Sequence, residues 1–192
     1  MLNLLEPTPA SWAREAEKNL SQLLSDHAHC ELKAAQSALG LVARFGGEAP
    51  ELVKPLTSLA KEETEHFNAV YARLQSGDLP KPPIDDYVRA LQLSAKQDRG
   101  SAPILLDRLL VCALIEARSC ERFSVLAEHL EDAELREFYS ELMASEARHY
   151  RLFCFLAEQR YGVSVTRERL KTLANREAAI ASRLPLGPTV HG

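Results

Sequence analysis

The chain has 192 residues, 46% of them hydrophobic and 26% charged, with a formal net charge of −4 at pH 7. That length predicts one domain over residues 1–192, and the abundance of Leu, Ala, Glu and Arg with few aromatic residues predicts an all-α protein. The acidic balance excludes a general attraction to nucleic acid. The lack of a long apolar run or a signal-peptide pattern predicts a cytoplasmic protein without a membrane partner.

Two long helices are predicted in the first half of the chain. Helix-forming sequence runs up to a Gly-Gly pair, and the polar residues Asn19 and Ser21 are expected to divide it into a short first helix and a long helix over 20–45. The second long helix is predicted over 50–76. The prolines that follow exclude helix, and they lead to a short helix over 87–96.

The second half of the chain repeats this plan. A Ser-Ala-Pro sequence at 101–103 predicts the start of a third long helix over 102–130, and Asp132 begins a fourth over 132–161. A last helix is predicted over 165–183. The layout is therefore two helical hairpins, with a long crossover between the second and third long helices and short helices beside them.

Each hairpin carries the same pattern of glutamate and histidine. One Glu-x-x-His sequence is a weak signal, but EETEHF at 62–67 and SEARHY at 145–150 both lie on the apolar stripe of a hairpin's second helix. Each first helix places one further Glu on its own stripe. The residues are Glu31, Glu63 and His66, which recur as Glu116, Glu146 and His149 after 85, 83 and 83 positions.

Buried carboxylates and imidazoles destabilise a fold unless something compensates their charge. Two divalent cations balance four carboxylates, and ferritin-like di-iron bundles use one Glu from each of two helices and Glu-x-x-His from each of the other two. We therefore predict a ferritin-like four-helix bundle in which these residues bind two metal ions. Carboxylate and imidazole donors favour iron or manganese over zinc, and iron is the metal expected.

Two neighbouring residues leave alternatives open. His27 lies one turn before Glu31, and it either faces the metals or the substrate or is a histidine satisfied within the core, which is the commoner case. Glu121 is an alternative to Glu116, but it lies about 140° around the helix from it and off the apolar stripe. Glu116 is the ligand predicted.

The residues around these positions add a family resemblance. The stretches are DHAHCELKAA at 26–35, KEETEHF at 61–67, IEARSCERF at 115–123 and SEARHY at 145–150. They resemble the tRNA 2-methylthio-N6-isopentenyladenosine hydroxylases, over nearly the whole chain. The resemblance implies a non-haem di-iron monooxygenase that uses O2 to hydroxylate the isopentenyl side chain of the modified adenosine beside the tRNA anticodon. It assigns the same six residues as iron ligands.

The implied reaction also needs two electrons from an external donor, a reductase or a ferredoxin. The chain has no G-x-G-x-x-G motif, so no bound nucleotide cofactor is expected, and it has no iron–sulfur cysteine spacing. Some hydroxylases of this superfamily have Thr one turn after the Glu of the third helix, where this chain has Cys120. Cys120 either lines an oxygen or substrate pocket or is a small core residue. Ser145 stands where many relatives carry an acidic residue that orients the ligand histidines.

A tRNA partner requires cations that contact phosphates. Near the C-terminus basic residues outnumber Glu168 and Glu177, and a basic stripe there is either a tRNA surface or a solvated face. The candidates are Arg160, Arg167, Arg169, Lys171 and Arg176, with Lys96 and Arg99 from the crossover.

Two other functions are compatible with a dimetal bundle. One is peroxide chemistry of the rubrerythrin or manganese catalase kind, although the chain lacks a cysteine-rich module like that of rubrerythrin. The other is ferritin-like iron binding, for which no cage-forming surface is indicated.

Overall fold

A computed structural model of the chain describes residues 2–74, 79–80 and 85–191. Within these ranges the regular structure consists of seven α-helices and one turn of 3-10 helix, without a β-strand. The all-α prediction is confirmed. The helices are α1 (Ser11–Lys18), α2 (Leu20–Phe45), α3 (Val53–Tyr71), α4 (Asp86–Gln97), α5 (Ile104–His129), α6 (Ala133–Tyr161) and α7 (Val163–Ala181). None of the described helices is both long and apolar enough to cross a membrane.

Of the first two long helices, α2 has its predicted bounds of 20–45, and the second differs from its predicted bounds of 50–76. Asn19 separates α1 from α2 as expected, and its side-chain amide donates to the backbone carbonyl of Glu15 at 3.0 Å. The helix predicted over 50–76 is a 3-10 turn followed by α3, which ends at Tyr71. It ends there because the backbone N–H groups of Arg73 and Leu74 bond to carbonyls three residues back, which is 3-10 rather than α-helical bonding. Residues 75 and 76 lie outside the described ranges.

The three long helices in the second half of the chain begin at or within two residues of their predicted starts. The start predicted from the Ser-Ala-Pro sequence at 101–103 is two residues early, because the N–H of Ala102 closes a turn and α5 begins only after the extended Pro103. Asp132 caps α6 as expected, because its carboxylate accepts from the backbone N–H groups of the first turn. Gly162, with φ of 85°, passes directly from α6 to α7, so α7 begins two residues before its predicted start.

The chain divides into two compact units. The first unit contains the described residues of Met1–Arg14, Asp85–Gly187 and His191–Gly192, and the second contains those of Glu15–Ile84 and Pro188–Val190. The prediction of one domain over the whole chain stays a prediction.

In the first unit, α5 is the central helix. It packs against α4, α6 and α7, and the hairpin that it forms with α6 is the most extensive of these interfaces. Leu109, Leu110 and Leu114 of α5 are each 0% exposed, and a buried leucine contributes about 1.5–3 kcal/mol through the hydrophobic effect. The α5–α6 hairpin is therefore held by a continuous apolar core.

A buried ion pair ties α7 to α5 within the same unit. The guanidinium of Arg118 donates to Oε1 of Glu177 from Nε at 3.0 Å and from a terminal nitrogen at 2.6 Å. The hydroxyl of Tyr87 donates to the same oxygen at 2.9 Å, and burial, followed by the Glu177 charge, raises the pKa of Tyr87 well above its usual value. Glu177, which the sequence analysis counted among the acidic residues near the C-terminus, is 0% exposed as a side chain and neutralises Arg118.

The second unit is built around the hairpin of α2 and α3. Leu23 and Leu41 of α2 and Leu56 and Leu59 of α3 form part of its buried core. These residues recur at helical spacing, so each helix turns one apolar stripe towards its partner. The same stripe carries the glutamates and the histidine that the sequence singled out.

Candidate metal centre

The second unit brings together three of the predicted ligands. Glu31 comes from α2, and Glu63 and His66 come from α3, one turn apart. One ligand atom from each of them lies within 4.8 Å of the others. Nδ1 of His66 is 3.2 Å from Oε2 of Glu63 and 3.8 Å from Oε2 of Glu31. Atoms this close can share one ion at a metal–ligand distance of about 2 Å.

His27 belongs to this cluster through Glu31. It is fully buried one turn earlier on α2, and its Nε2 donates to Oε1 of Glu31 at 2.7 Å. Burial acts to raise the pKa of the Glu31 carboxyl, but hydrogen bonds from His27 and His66 outweigh it and hold that pKa well below its usual range. Burial acts to lower the pKa of His66, and the Glu31 and Glu63 carboxylates reverse this and raise it to about 9. The cluster is thus an ionised carboxylate site surrounded by imidazole donors.

The first unit contains the matching cluster. Glu116 comes from α5, and Glu146 and His149 come from α6. Their ligand atoms also lie within 4.8 Å of one another, and Nδ1 of His149 is 3.6 Å from Oε2 of Glu146. These three residues are at most 5% exposed. In each hairpin the i, i+3 spacing puts Glu and His on one helix face, and the hairpin partner adds the second Glu.

Three further residues that the sequence singled out lie on α5 and α6: Glu121, Cys120 and Ser145. Glu121 lies in neither cluster: its carboxylate accepts from the N–H and hydroxyl of Thr8 and from Arg118. The buried thiol of Cys120 donates to the carbonyl of Met143 at 3.3 Å. Burial, and then the negative charge of Glu146, raises the pKa of that thiol to about 11. Ser145 is buried and accepts from Arg148 at 2.8 Å.

The basic candidates divide by exposure. Arg169 is 9% exposed, and its guanidinium donates to Asp107 at 2.7 Å and to the carbonyls of Ala95 and Asp98. These bonds link α7 to α5 and to the end of α4, and the assignment of Arg169 to a phosphate-binding surface stays a prediction. Arg99 is half-buried and donates to the same Asp107 at 3.0 Å. Arg160, Arg167, Lys171, Arg176 and Lys96 are exposed.

The side chains that the sequence missed are buried charges. Asp107, Arg118 and Glu177 are each at most 2% exposed as side chains. Asp107 and Glu177 lie on the buried faces of their helices. Helical periodicity could have indicated that these two carboxylates are buried, but not what they bind. Glu177 pairs with Arg118, 59 residues away. Asp107 pairs with Arg169, 62 residues away, as well as with Arg99, 8 residues away on the other side of a helix boundary.

A helical fold with two buried clusters of Glu, Glu and His defines the class: a ferritin-like protein with a carboxylate- and histidine-rich metal site. Comparison with known families narrows this class. The chain belongs to the tRNA-(MS[2]IO[6]A)-hydroxylase (MiaE) family, whose model matches residues 2–192. The family resemblance is thereby confirmed.

Two curated relatives carry the same name, tRNA 2-(methylsulfanyl)-N(6)-isopentenyladenosine(37) hydroxylase. The protein from Pseudomonas putida is 40% identical over 159 residues, which cover 81% of this chain and 75% of the relative. The protein from Salmonella typhimurium is 35% identical over 211 aligned positions, gaps included, and the alignment covers 83% of this chain and 77% of the relative.

Among solved structures, the chain is similar to a Synechococcus protein described as protein 43 with aldehyde deformylating oxygenase activity. The TM-score is 0.88 at 42% sequence identity, over 98% of this chain and 95% of that one. This similarity confirms the ferritin-like helical bundle predicted from the sequence.

Proposed function

We propose that the chain is a cytoplasmic, O2-dependent di-iron monooxygenase that hydroxylates the isopentenyl side chain of 2-methylthio-N6-isopentenyladenosine in tRNA. The observation that carries the proposal is the duplicated, buried cluster of Glu, Glu and His in a chain of the tRNA hydroxylase family. The curated relatives from both bacteria are named as hydroxylases of this nucleoside.

The donor set fits a pair of iron ions. The four carboxylates are each at most 5% exposed, and burying so much negative charge is costly unless cations offset it. Two divalent ions supply the matching positive charge. Imidazole and carboxylate donors without thiolate favour iron over structural zinc. The ligands we assign are Glu31, Glu63 and His66 from the second unit and Glu116, Glu146 and His149 from the first.

The chain's own residues hold the ligands and keep water out. When bound, the iron pair supplies the reductive activation of O2 that C–H hydroxylation requires, with two electrons from an external reductase or ferredoxin. His27 is a positioning residue, because its 2.7 Å hydrogen bond fixes the Glu31 carboxylate. The buried surroundings of the clusters exclude bulk water, which protects a strongly oxidising site from side reactions. The thiol of Cys120 is neutral in these surroundings and lines an oxygen or substrate pocket.

The exposed residues among the basic candidates contact the phosphates of the tRNA. Phosphate contacts require side chains that reach solvent, whereas Arg169 is 9% exposed and its guanidinium already bonds to Asp107 and to two backbone carbonyls. The exposed candidates on α6 and α7 are Arg160, Arg167, Lys171 and Arg176, and Lys96 and Arg99 lie at the end of α4.

The decisive experiment is oxygen insertion into the modified tRNA. The protein is loaded with Fe(II) without air, then given a ferredoxin and its reductase, isotope-labelled O2 and tRNA that carries the isopentenylated nucleoside. We expect about two irons per chain and a nucleoside that gains one labelled oxygen atom by mass spectrometry. Many irons per chain, or peroxide turnover without tRNA, in the absence of a hydroxylated nucleoside would contradict the proposal.

A second candidate function is aldehyde deformylation. It is favoured by one observation, the 42% identity to the Synechococcus protein described with that activity. The same iron-loaded preparation is therefore incubated with a long-chain aldehyde in place of tRNA, and formate is measured. Formate release with no product from tRNA would favour the second candidate over the first.

A further inference from the structure

A basic cleft lies in the first unit between α4 and α5, and neither cluster of metal ligands contributes to it. Its volume is about 280 Å³. Four of its lining residues are cations, three from α4 and the residues after it and one from the first turns of α5. They are Arg89, Lys96, Arg99 and Arg108. Gln92 and the 48% exposed Leu93 complete the outer wall.

The walls of this cleft are held rigidly by one buried carboxylate. Asp107 is 2% exposed as a side chain and accepts from Nε of Arg99 at 3.0 Å through one oxygen and from Nε of Arg169 at 2.7 Å through the other. Arg169 also donates to the carbonyls of Ala95 and Asp98, the last turn of α4. This arrangement fixes the end of α4 against the start of α5, so the cleft exists before any ligand binds.

The charge of the cleft is strongly positive in an acidic chain. Asp107 is its one acidic lining residue, and both of its oxygens already bind arginine. Arg89, Lys96 and Arg108 are exposed, and within the part of the chain that the structure describes they form no ion pair. Several cations thus line one cleft, and two of them are arginines whose guanidinium groups form no ion pair. Such groups suit the oxygens of a phosphate.

We propose that this cleft binds a backbone phosphodiester of the tRNA substrate, an inference that rests on the proposed function. Arg108 and the ligand Glu116 lie on the same helix eight residues apart, which is about 12 Å along its axis. The distance along α5 from the cleft to the level of the first unit's cluster is therefore one that a few nucleotides can span. Arg108 enters this role from the fold alone, because it belongs to a different helix from the cations of the crossover.

Charge reversal in the cleft tests the proposal. Affinity for an anticodon stem-loop RNA is measured at several salt concentrations for Arg89→Glu combined with Arg108→Glu. The matched control is Lys54→Glu, an exposed lysine of α3 in the second unit. We expect the double variant to bind on the order of tenfold more weakly and the slope of log affinity against log salt to fall by about 0.7–0.9, which is the amount that the loss of one phosphate contact removes. The control should keep the wild-type slope.

Two results overturn the proposal: an unchanged slope in the double variant, or an equal loss in the Lys54→Glu control, which would indicate a general charge effect. Circular dichroism checks folding. If the double reversal unfolds the protein, the variant Arg89→Gln combined with Arg108→Gln replaces it. The same change of slope is then the criterion, and the expected loss of affinity is smaller. Failure of the cleft leaves oxygen insertion by the wild-type protein intact, whereas failure of the proposed function removes that product. The two failures are thus distinguishable.

Discussion

Replacing His27 by phenylalanine tests how the second unit's cluster holds its carboxylate. His27 is 0% exposed, and its Nε2 lies 2.7 Å from Oε1 of Glu31. Phenylalanine keeps an aromatic ring of similar size in the core but cannot donate a hydrogen bond. The Glu31 carboxylate would then lose the partner that fixes its orientation, while the ligand itself stays in place.

The size of the effect follows from the contact. A hydrogen bond to a charged group contributes about 1.5–3 kcal/mol. Residues that hold a metal ligand in place typically change metal affinity by about 10–100-fold when they are replaced. This range corresponds to about 1.4–2.7 kcal/mol, which agrees with the first estimate. We therefore expect His27→Phe to bind metal about 10–100-fold more weakly without losing it altogether, because Glu63 and His66 remain.

The assay is anaerobic titration with Fe(II) or with Co(II) as a coloured probe, against a competing chelator. His29→Gln is the matched control: His29 lies on the same helix, bonds to the carbonyl of Pro80 at 2.6 Å and belongs to neither cluster. His27→Gln should recover part of the affinity, since its amide can still donate. Wild-type affinity in His27→Phe, or an equal loss in His29→Gln, would refute the reasoning. A loss far above 100-fold would instead mean that His27 is itself a ligand.

Three further changes probe the ligands, the core and the thiol. Glu146→Ala should lower the iron bound per chain and abolish hydroxylation, whereas the exposed Glu141→Ala on the same helix should leave both unchanged, as metal analysis and product assay will tell. Glu177→Leu should destabilise the fold by about 3–5 kcal/mol because it leaves Arg118 buried without its main partner; urea denaturation measures this, and a loss below about 1 kcal/mol would contradict it. Because burial raises the pKa of Cys120 to about 11, its thiol is protonated near neutral pH, and alkylation followed by mass spectrometry should stay slow in the folded protein and increase only at strongly alkaline pH. Fast alkylation near neutral pH would show that the thiol is exposed or ionised.

Much of the candidate site could be predicted because its spacing is local. Glu63 with His66, and Glu146 with His149, are one turn apart on a single helix, so helical geometry alone aligns their side chains. Glu31 and Glu116 could be added because each lies on the apolar stripe of the neighbouring helix in a hairpin. The structure brings together three of these residues in each unit, as the pattern predicted.

The helix ends were less predictable, because several capping solutions compete for the same residues. Asp132 caps α6 as expected, since its side chain reaches the next turn without help from elsewhere. Ser101 does not cap α5, because Arg99 and Ala102 form a turn of their own first. The early end of α3 at Tyr71 likewise depends on local 3-10 bonding that no residue type signals.

The tertiary structure decides which charged residues of α7 are buried and which are exposed. The sequence placed Arg169 and Glu177 on one basic helix, and nothing local distinguished them from the exposed Lys171 and Arg176. The fold buries the first two against partners 62 and 59 residues away. It also brings the cations of two helices into one cleft. Helical periodicity is a property of neighbouring residues and can be read along the chain, whereas the partner of a charged side chain depends on which helices meet.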